Sequence, residues 1–569
     1  MFIVTKYFFL TIIIFQMTGC TNKNKIADLV LLNGNIITVD SANTITEAIA
    51  ISGDTIFAIG KNEEIKKFIG DSTKVINLNG KAAIPGFIDS HAHLISTGEA
   101  LMNLDLSTAK NWDEIISIAS QAAEKAKNGE WIIGRGWHQE KWNQAPEEIV
   151  EGFPIHKKLS EAIPNNPVLF SHASGHALFA NAKAMEISNV TNPTQNPSGG
   201  KIIKDKSGFP TGIFLEEAEK LITKKYNENL AKKSKQELNN EIKKAIKLAN
   251  NECLKNGITT FHDAGESFED LNIVKNMVDK NEIDIRLYVM LGENYFALKD
   301  SLRKYFTIGY GNNHLTVRSI KLYMDGALGS RGAWLLEPYS DIPKQFGMNT
   351  TDLNEINSIC KIAAENDFQI CTHAIGDKAN RVTLDVYENI FKNYTNKNFR
   401  WRIEHAQHLN PNDISRFNKL GVIAAMQGIH CASDAPFVEK RLGKVRAESG
   451  AYVWKSLINS GAVICNGTDS PVENLNAIKN YYALVTRKTN DGTLFYENQK
   501  MSRIEALKSY TINGAYAAFE EKIKGSLEIG KLADITILSQ DLLKVSDDEI
   551  LNTEVVYTII GGKVFYERK

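Results

Sequence analysis

The middle of this 569-residue chain alternates short apolar runs with longer charged stretches of helical pattern. Two such stretches are "DEIISIASQAAEKAKNGE" and "KSKQELNNEIKKAIKLANNECLKNG", and apolar runs such as "FQICTHA" and "SGAVICNG" lie among others. This alternation is typical of repeated βα units, which build a parallel sheet or a barrel. The ends differ, because "DLVLLNGNIITVD" and "EVVYTIIGGKVFYERK" predict strands joined by tight turns. The sequence therefore predicts an α/β fold with a small sheet domain to which both ends contribute.

Length and charge limit the classes of function. The chain is longer than one ordinary domain needs, and its 43% hydrophobic content can bury a large core. The formal net charge of -1 shows no basic excess of the kind that nucleic-acid binding requires. We therefore expect no nucleic-acid partner, whereas the charge balance does not indicate which small-molecule substrate is bound. The oligomeric state stays open, and a homo-oligomer is compatible with the sequence.

The N-terminal segment predicts export. "MFIVTKYFFLTIIIFQMTGC" carries one lysine and an apolar run that is short for a membrane span and typical of a signal-peptide core. The final "MTGC" resembles a bacterial lipobox, which implies cleavage before Cys20, lipid attachment there and anchoring to a membrane of the cell envelope. An ordinary signal peptide or an uncleaved anchor is the alternative. The other five cysteines form no C-x-x-C pair and are expected in the core.

Two histidines one residue apart follow an apolar run in "KAAIPGFIDSHAHL". Side chains alternate between the faces of a strand, so His91 and His93 point the same way. Two imidazoles aimed at one point indicate a metal, whereas a surface strand with two incidental histidines is the alternative.

Other apolar runs also end on polar residues. "VRSIKLYMDGALGSRGAW" places a lysine inside a strand, "FQICTHAIGD" and "NFRWRIEHAQ" end on histidines, and "GAVICNGTDSP" ends on an aspartate. These residues are Lys321, His373, His405 and Asp469. In a βα barrel all parallel strands deliver their C-terminal ends to one face, so we expect these side chains to meet.

The order "HAHL", "IKLYMDG", "THAIGD", "RIEHAQ" and "GTDSP", with the blocks "GRGWHQEKW" and "SHASGHALFANAKA", resembles the amidohydrolase superfamily, in particular its amidohydrolase-3 (YtcJ-like) branch. The resemblance implies a distorted (β/α)8 TIM barrel with a small composite β-sandwich from both chain ends. It also implies metal-dependent hydrolysis of a carbon-nitrogen bond other than a peptide bond. The expected domains are a signal peptide at 1–20, the sandwich at 26–84 and 516–569, and the barrel at 85–515 with an insertion at about 110–250.

The resemblance also assigns the metal ligands. His91 and His93 would hold the more buried ion, and His373 and His405 a second one, through neutral imidazoles that suit zinc. Lys321 would be carboxylated, because a bridging anion fits between two divalent cations. The alternative is a site with one metal, in which Lys321 pairs with Asp325 or with Glu216. Glu216 would otherwise supply a bridging carboxylate itself.

Asp469 fits a general base, since a carboxylate beside a metal can accept a proton from metal-activated water and return it to a leaving amine. The alternative is a helix N-cap in "TDSPVENL".

Substrate contacts are expected from Trp137, Gln139 and His176, which lie in polar and aromatic blocks, and from Arg331, which would bind a carboxylate. Simple packing roles are the alternatives for the first three, and bracing of its own loop is the alternative for Arg331.

The predicted reaction is attack of metal-activated hydroxide on an amide-like, N-acyl or N-formyl carbonyl. A one-metal deaminase, an esterase or lactonase, and a lipid-anchored binding protein without catalysis remain alternatives.

Overall fold

A computed structural model describes residues 26–139, 142–173, 177–197, 200–489 and 491–569. Within these residues eight parallel strands form a nearly closed barrel. The strands are β1 (Phe87–Ala92), β2 (Ile258–Glu266), β3 (Arg286–Leu291), β4 (Leu315–Tyr323), β5 (Gln369–Ala374), β6 (Arg402–His405), β7 (Ile423–Met426) and β8 (Ile464–Asn466). The predicted (β/α)8 barrel is therefore confirmed.

Among the described residues, β8 and β1 form no strand ladder, and individual backbone and side-chain hydrogen bonds close the seam between them. Asp89 Oδ1 accepts the Thr468 N–H at 3.0 Å, and Asp89 Oδ2 accepts the Thr468 hydroxyl at 2.7 Å. A Cβ on Gly467 would lie 2.4 Å from the His91 backbone nitrogen, so only glycine allows this approach. The seam therefore holds the segment after β8 against the histidines of β1.

Helices cover the outside of the barrel. The principal ones are Leu94–Met102 and Lys235–Lys255 around the insertion after β1, then Phe268–Asp279, Tyr295–Tyr305, Leu353–Glu365, Asp377–Phe391, Pro411–Leu420, Gly428–Leu442 and Ala477–Thr486 after β2 to β8 in turn. Shorter helices are Lys444–Gly450, Trp454–Asn459, Arg503–Ser509 and Ile512–Ala517. Many begin at a side-chain cap: Ser234 accepts from the Glu237 N–H in a capping box, and Asp352 and Asn410 cap two barrel helices.

Strands from both chain ends form the predicted composite sandwich. One sheet contains Leu29–Leu32, Ala48–Ser52, Thr55–Gly60 and Lys74–Asn77. The other joins Asn35–Ile37, Ile45–Thr46 and Ala82–Pro85 to Ile535–Leu538, Val555–Ile560 and Lys563–Glu567. Apolar residues from both sheets share one buried core. The ion pair from Arg286 Nε to Asp534 Oδ2, at 2.7 Å and buried, ties the sandwich to β3.

A separate mixed sheet is inserted between β1 and β2. Its strands are Leu104–Asp105, Ile132–Trp137, Val168–His172, Ala177–Ala180, Gly200–Lys204 and Pro210–Glu216. Helices Trp112–Ala123, Lys157–Ala162, Ala182–Ile187 and Lys220–Leu230 accompany them. The inserted strands start at Leu104, a few residues before the expected position.

Five cysteines, from Cys253 to Cys465, are buried and unpaired within the described chain, as predicted. Among the described helices, none is both long and apolar enough to cross a bilayer. Cys20 and the predicted signal peptide lie outside the described residues.

Candidate active site

The C-terminal ends of the strands bring the predicted ligands together. His91 and His93 come from the end of β1, Lys321 from β4, His373 from β5, His405 from β6 and Asp469 from the segment after β8. The ring of His405 lies 4.8 Å from that of His91 and 4.5 Å from that of His373, centroid to centroid. Nitrogens of His91 and His405 and an oxygen of Asp469 all lie within 4.8 Å of one another. This spacing suits a metal ion.

Asp469 lies among the histidines. Its Oδ1 is 3.3 Å from His93 Nε2 and 3.6 Å from His91 Nε2. Burial raises the pKa of Asp469, but the hydrogen bond from His93 acts in the opposite direction, and the net pKa lies well below its usual range. The carboxylate is therefore ionised at neutral pH.

Backbone contacts fix Asp469 in this position, since its N–H donates to the His91 carbonyl at 2.7 Å. The alternative role as a helix N-cap is wrong, because the next α-helix is Ala477–Thr486 and Asn476 caps it.

Hydrogen bonds orient two of the histidines. His91 Nδ1 bonds to the Glu404 carboxylate, and His405 Nδ1 lies 2.7 Å from Gln427 Oε1. Both partners are acceptors, so each Nδ1 carries the proton and each Nε2 keeps its lone pair. This is the arrangement that a metal-binding imidazole requires.

The environment keeps these imidazoles neutral. Burial lowers the pKa of His91, His373 and His405 well below the usual range, and the positive charge of Lys321 lowers each of them further. The His91–Glu404 contact is accordingly a hydrogen bond from a neutral ring, not an ion pair.

Lys321 lies under the cluster. It is 3% exposed, and its Nζ is 3.2 Å from His91 Nε2. Burial lowers the pKa of its amine, although the carboxylates of Glu404 and Asp469 act in the opposite direction. A buried amine with a lowered pKa is the form that could react to give a carbamate.

Asp325 is not the partner of Lys321. Its oxygens accept backbone N–H groups of Trp334 and of residues 375 and 376 at 2.8–2.9 Å, which ties the loops after β4 and β5 together. The alternative pairing with Asp325 is therefore wrong. Glu216 was the other alternative, as a partner of Lys321 or as a bridging carboxylate. Its side chain lies outside the described part of the structure, so both roles stay predictions.

The donor set fits a divalent first-row metal. Imidazole nitrogens and one carboxylate are typical zinc ligands. His373 Nε2 is buried and has no hydrogen-bond partner among the described residues, which leaves it available to a metal. The residues that could hold metal are His91, His93, Lys321, His373, His405 and Asp469. Their individual roles stay predictions.

A buried network below His91 was not predicted. Arg402 donates to both oxygens of Glu404 at 2.7 and 2.8 Å and to the Ser90 carbonyl at 2.5 Å. Its third nitrogen lies 3.1 Å from His262 Nδ1. The signal in the sequence was two charged residues inside the short strand "RIEH". Because Glu404 is occupied by Arg402 and His91, it is not free to act as the catalytic acid of a deaminase.

His430 was also missed. It lies in the first turn of helix Gly428–Leu442, and its Nε2 is 3.6 Å from Asp469 Oδ2. The signal was "VIAAMQGIHC", a histidine shortly after an apolar run, as in the other strand ends.

The substrate-binding candidates of the insertion are placed as follows. Trp137 is fully buried, and its indole N–H donates to the Phe170 carbonyl at 3.1 Å. These contacts correspond to the alternative in which Trp137 only packs inside the insertion. Gln139 Oε1 lies 3.2 Å from His172 Nε2. His176 lies outside the described residues. Roles of these three in binding stay predictions.

Arg331 pairs with Asp341 at 2.6 Å, and Arg441 contacts the same carboxylate. It therefore braces its own loop. Burial lowers the pKa of Arg135, and the negative charge of Asp469 acts in the opposite direction.

Comparison with known proteins agrees with this geometry. The amidohydrolase family model matches residues 74–566. The chain is 33% identical to Protein LONG AFTER FAR-RED 3 of Arabidopsis thaliana, over 95% of this chain and 92% of that protein. It is 30% identical to the putative amidohydrolase YtcJ of Bacillus subtilis, over 94% and 98% of the two chains.

Two further proteins are less similar to this chain in sequence. N-substituted formamide deformylase of Arthrobacter pascens is 25% identical over 95% of this chain and 98% of its own. The crystal structure of an uncharacterized metal-dependent hydrolase from Pyrococcus horikoshii superposes with a TM-score of 0.74 and 28% identity, covering 91% of this chain and 99% of that one. These matches confirm the resemblance to the YtcJ-like branch, and with the family match over most of the sequence they show that the chain belongs to the amidohydrolase family.

Proposed function

We propose that the protein is a metal-dependent hydrolase that cleaves an amide-like carbon-nitrogen bond, N-acyl or N-formyl, in a small molecule. The observation that carries the proposal is the position of the Asp469 carboxylate, 3.3 Å from His93 and 3.6 Å from His91 at the C-terminal face of the barrel. In this fold that face carries the active site.

A divalent metal held by the histidines supplies a Lewis acid and lowers the pKa of water. Asp469 Oδ1 accepts the proton that the attacking water loses as its oxygen bonds to the carbonyl carbon. The carboxyl group then returns the proton to the nitrogen as the carbon-nitrogen bond breaks. Lys321, as a carbamate, would place a negative charge between two metal ions, with zinc as the expected metal.

The formamide deformylase of Arthrobacter pascens supports the choice of bond, since it is similar to this chain over nearly its whole length. Its substrate class, N-substituted formamides, is therefore the first to test here.

The test is hydrolysis by the purified zinc-loaded protein of four probes: an N-alkyl formamide, an N-acyl amino acid, an ester and an aminated purine. We expect release of amine from one of the first two. Asp469→Asn should lower kcat by about 10²- to 10⁴-fold, because the general base is lost. Asp385→Asn is the matched control, because Asp385 is exposed and pairs with Arg416 on the outer helices.

Three results would refute the proposal. The first is that the wild-type protein hydrolyses none of the probes. The second is ammonia release from the purine as the only reaction, and the third is amide hydrolysis that Asp469→Asn leaves unchanged.

We also propose that Cys20 carries a lipid that anchors the protein to a bacterial membrane. Metabolic labelling with a fatty acid tests this, and Cys20→Ser should abolish the label. A label retained by Cys20→Ser would refute the proposal.

A further inference from the structure

His430 differs from the other site histidines in its hydrogen bonds. Gln407 Nε2 lies 3.0 Å from His430 Nδ1. An amide nitrogen can only donate, so Nδ1 accepts and the ring proton resides on Nε2. In His91 and His405 the Nδ1 atoms face acceptors and the protons reside there instead. Nε2 of His430 is therefore a hydrogen-bond donor, whereas Nε2 of His91 and of His405 has a lone pair that can bind a metal.

The donor faces the reacting groups. His430 is 6% exposed, and its ring lies parallel to that of His405 with centroids 6.1 Å apart. Its Nε2 is 3.6 Å from Asp469 Oδ2, which is longer than a normal N–H···O hydrogen bond. No hydrogen-bond partner for Nε2 exists among the described residues. A buried N–H without a partner costs free energy, so such a group in an active site points to a ligand.

The two oxygens of Asp469 have different neighbours. Oδ1 faces His91 and His93, and Oδ2 faces His430. A carbonyl group that reacts beside Asp469 would therefore have the imidazole ligands on one side and the His430 N–H on the other.

We propose that His430 is a further catalytic residue, whose Nε2–H donates a hydrogen bond to the substrate carbonyl oxygen as negative charge develops on it. The proton stays on Nε2 throughout, since no acceptor at Nδ1 favours its release. This inference rests on the proposed hydrolysis and adds a preformed donor to it. Such donors typically contribute about 10²- to 10³-fold to kcat.

The first experiment needs no substrate. Histidine labelled with ¹⁵N is incorporated into the full zinc-loaded protein, and the ring signals are assigned by comparison with His430→Gln. We expect the Nε2–H tautomer for His430. A proton on Nδ1 would overturn the proposal, whatever the substrate proves to be.

The second experiment compares three variants. His430→Gln keeps an N–H donor near the position of Nε2, His430→Asn keeps one near Nδ1 only, and His430→Phe keeps only the ring shape. We expect kcat for the hydrolysed probe to fall about 10²- to 10³-fold in the Asn and Phe variants and at most about tenfold in the Gln variant. KM and zinc content should stay unchanged.

Two outcomes would overturn the donor role. Loss of zinc in His430→Phe would make His430 a metal ligand, and equal activity in all three variants would make the side chain structural. Gln407→Glu gives an independent test, because a carboxylate would accept from Nδ1–H and remove the proton from Nε2. It should match His430→Phe in kcat, and wild-type kcat in Gln407→Glu would contradict the proposal. If wild type hydrolyses no probe, the proposed function fails, and the tautomer alone decides the donor assignment.

Discussion

Glu404→Gln perturbs the charge pair beneath the metal site. The Glu404 and Arg402 side chains are 0% exposed, and Arg402 donates to both carboxylate oxygens at 2.7 and 2.8 Å. His91 Nδ1 bonds to one of the same oxygens. Glutamine has the same shape, but it removes the negative charge and places an N–H₂ group where an acceptor is needed.

The expected loss follows from burial. Removal of one partner from a buried pair typically costs about 3–5 kcal/mol, because the remaining charge is left without compensation. The Arg402 guanidinium would retain the Ser90 carbonyl, at 2.5 Å, as an acceptor, but that group carries no full charge. We expect the free energy of unfolding to fall by about 3–5 kcal/mol. The loss of the acceptor at His91 Nδ1 should weaken metal binding by about 10- to 100-fold.

The assays are urea unfolding of the metal-free protein and zinc titration against a competing chelator. Glu388→Gln is the control, because Glu388 is 40% exposed and its pair with Arg416 should contribute at most about 1 kcal/mol. The double variant Arg402→Met/Glu404→Gln should recover part of the stability, since no unpaired charge remains. An unfolding free energy for Glu404→Gln within about 1 kcal/mol of wild type would refute this reasoning.

Three further predictions concern other parts of the molecule. Burial raises the pKa of Asp534, but the charge of Arg286 outweighs burial, and the net pKa lies below its usual value. The ionised Asp534 carboxylate therefore stabilises the fold above about pH 3.9, and this stability is lost as the pH falls through the pKa of the folded state. In urea unfolding, Asp534→Asn should lower the free energy of unfolding at pH 7 and should make that free energy fall less between pH 7 and acidic pH. The same pH dependence in variant and wild type would contradict the lowered pKa. Lys321→Met should lower zinc content and abolish any increase on addition of bicarbonate, by elemental analysis, whereas wild-type content would exclude the carbamate. Arg331→Gln should leave KM for an N-acyl amino acid unchanged in steady-state kinetics, because Arg331 already pairs with Asp341 at 2.6 Å; a rise in KM would instead make Arg331 a substrate contact.

The strand-borne part of the site was predictable for a geometric reason. In a parallel barrel each strand ends at the same face, so a polar residue that closes an apolar run is placed by the fold alone. His373 and His405 could therefore be named without coordinates. The composite sandwich was predictable as well, because alternating strand patterns occur at both ends and neither end has enough strands to bury its own apolar face.

The partners of these residues were not predictable in the same way. Arg402 and Glu404 are visible as charges in a strand, but which acceptor each one meets depends on contacts across the barrel, such as that from Arg402 to Ser90. Trp137 shows the same limit, because an indole next to polar residues looks identical in sequence whether it packs inside the insertion or faces a ligand. The complete burial of Trp137 and its hydrogen bond to Phe170 distinguish the two cases.

His430 shows what a closer interpretation of the sequence could use. It follows β7 by four residues, and the first turn of a helix after a barrel strand still faces the C-terminal end of the barrel. A histidine in that turn can reach the metal site as a histidine on a strand does, but it approaches from the edge of the barrel. Its role is then set by its neighbour: with Gln407 as a donor at Nδ1 the ring must offer a proton, and with an acceptor it would offer a lone pair. Sequence position locates such a residue, and the chemistry of one contacting side chain decides whether it binds metal or substrate.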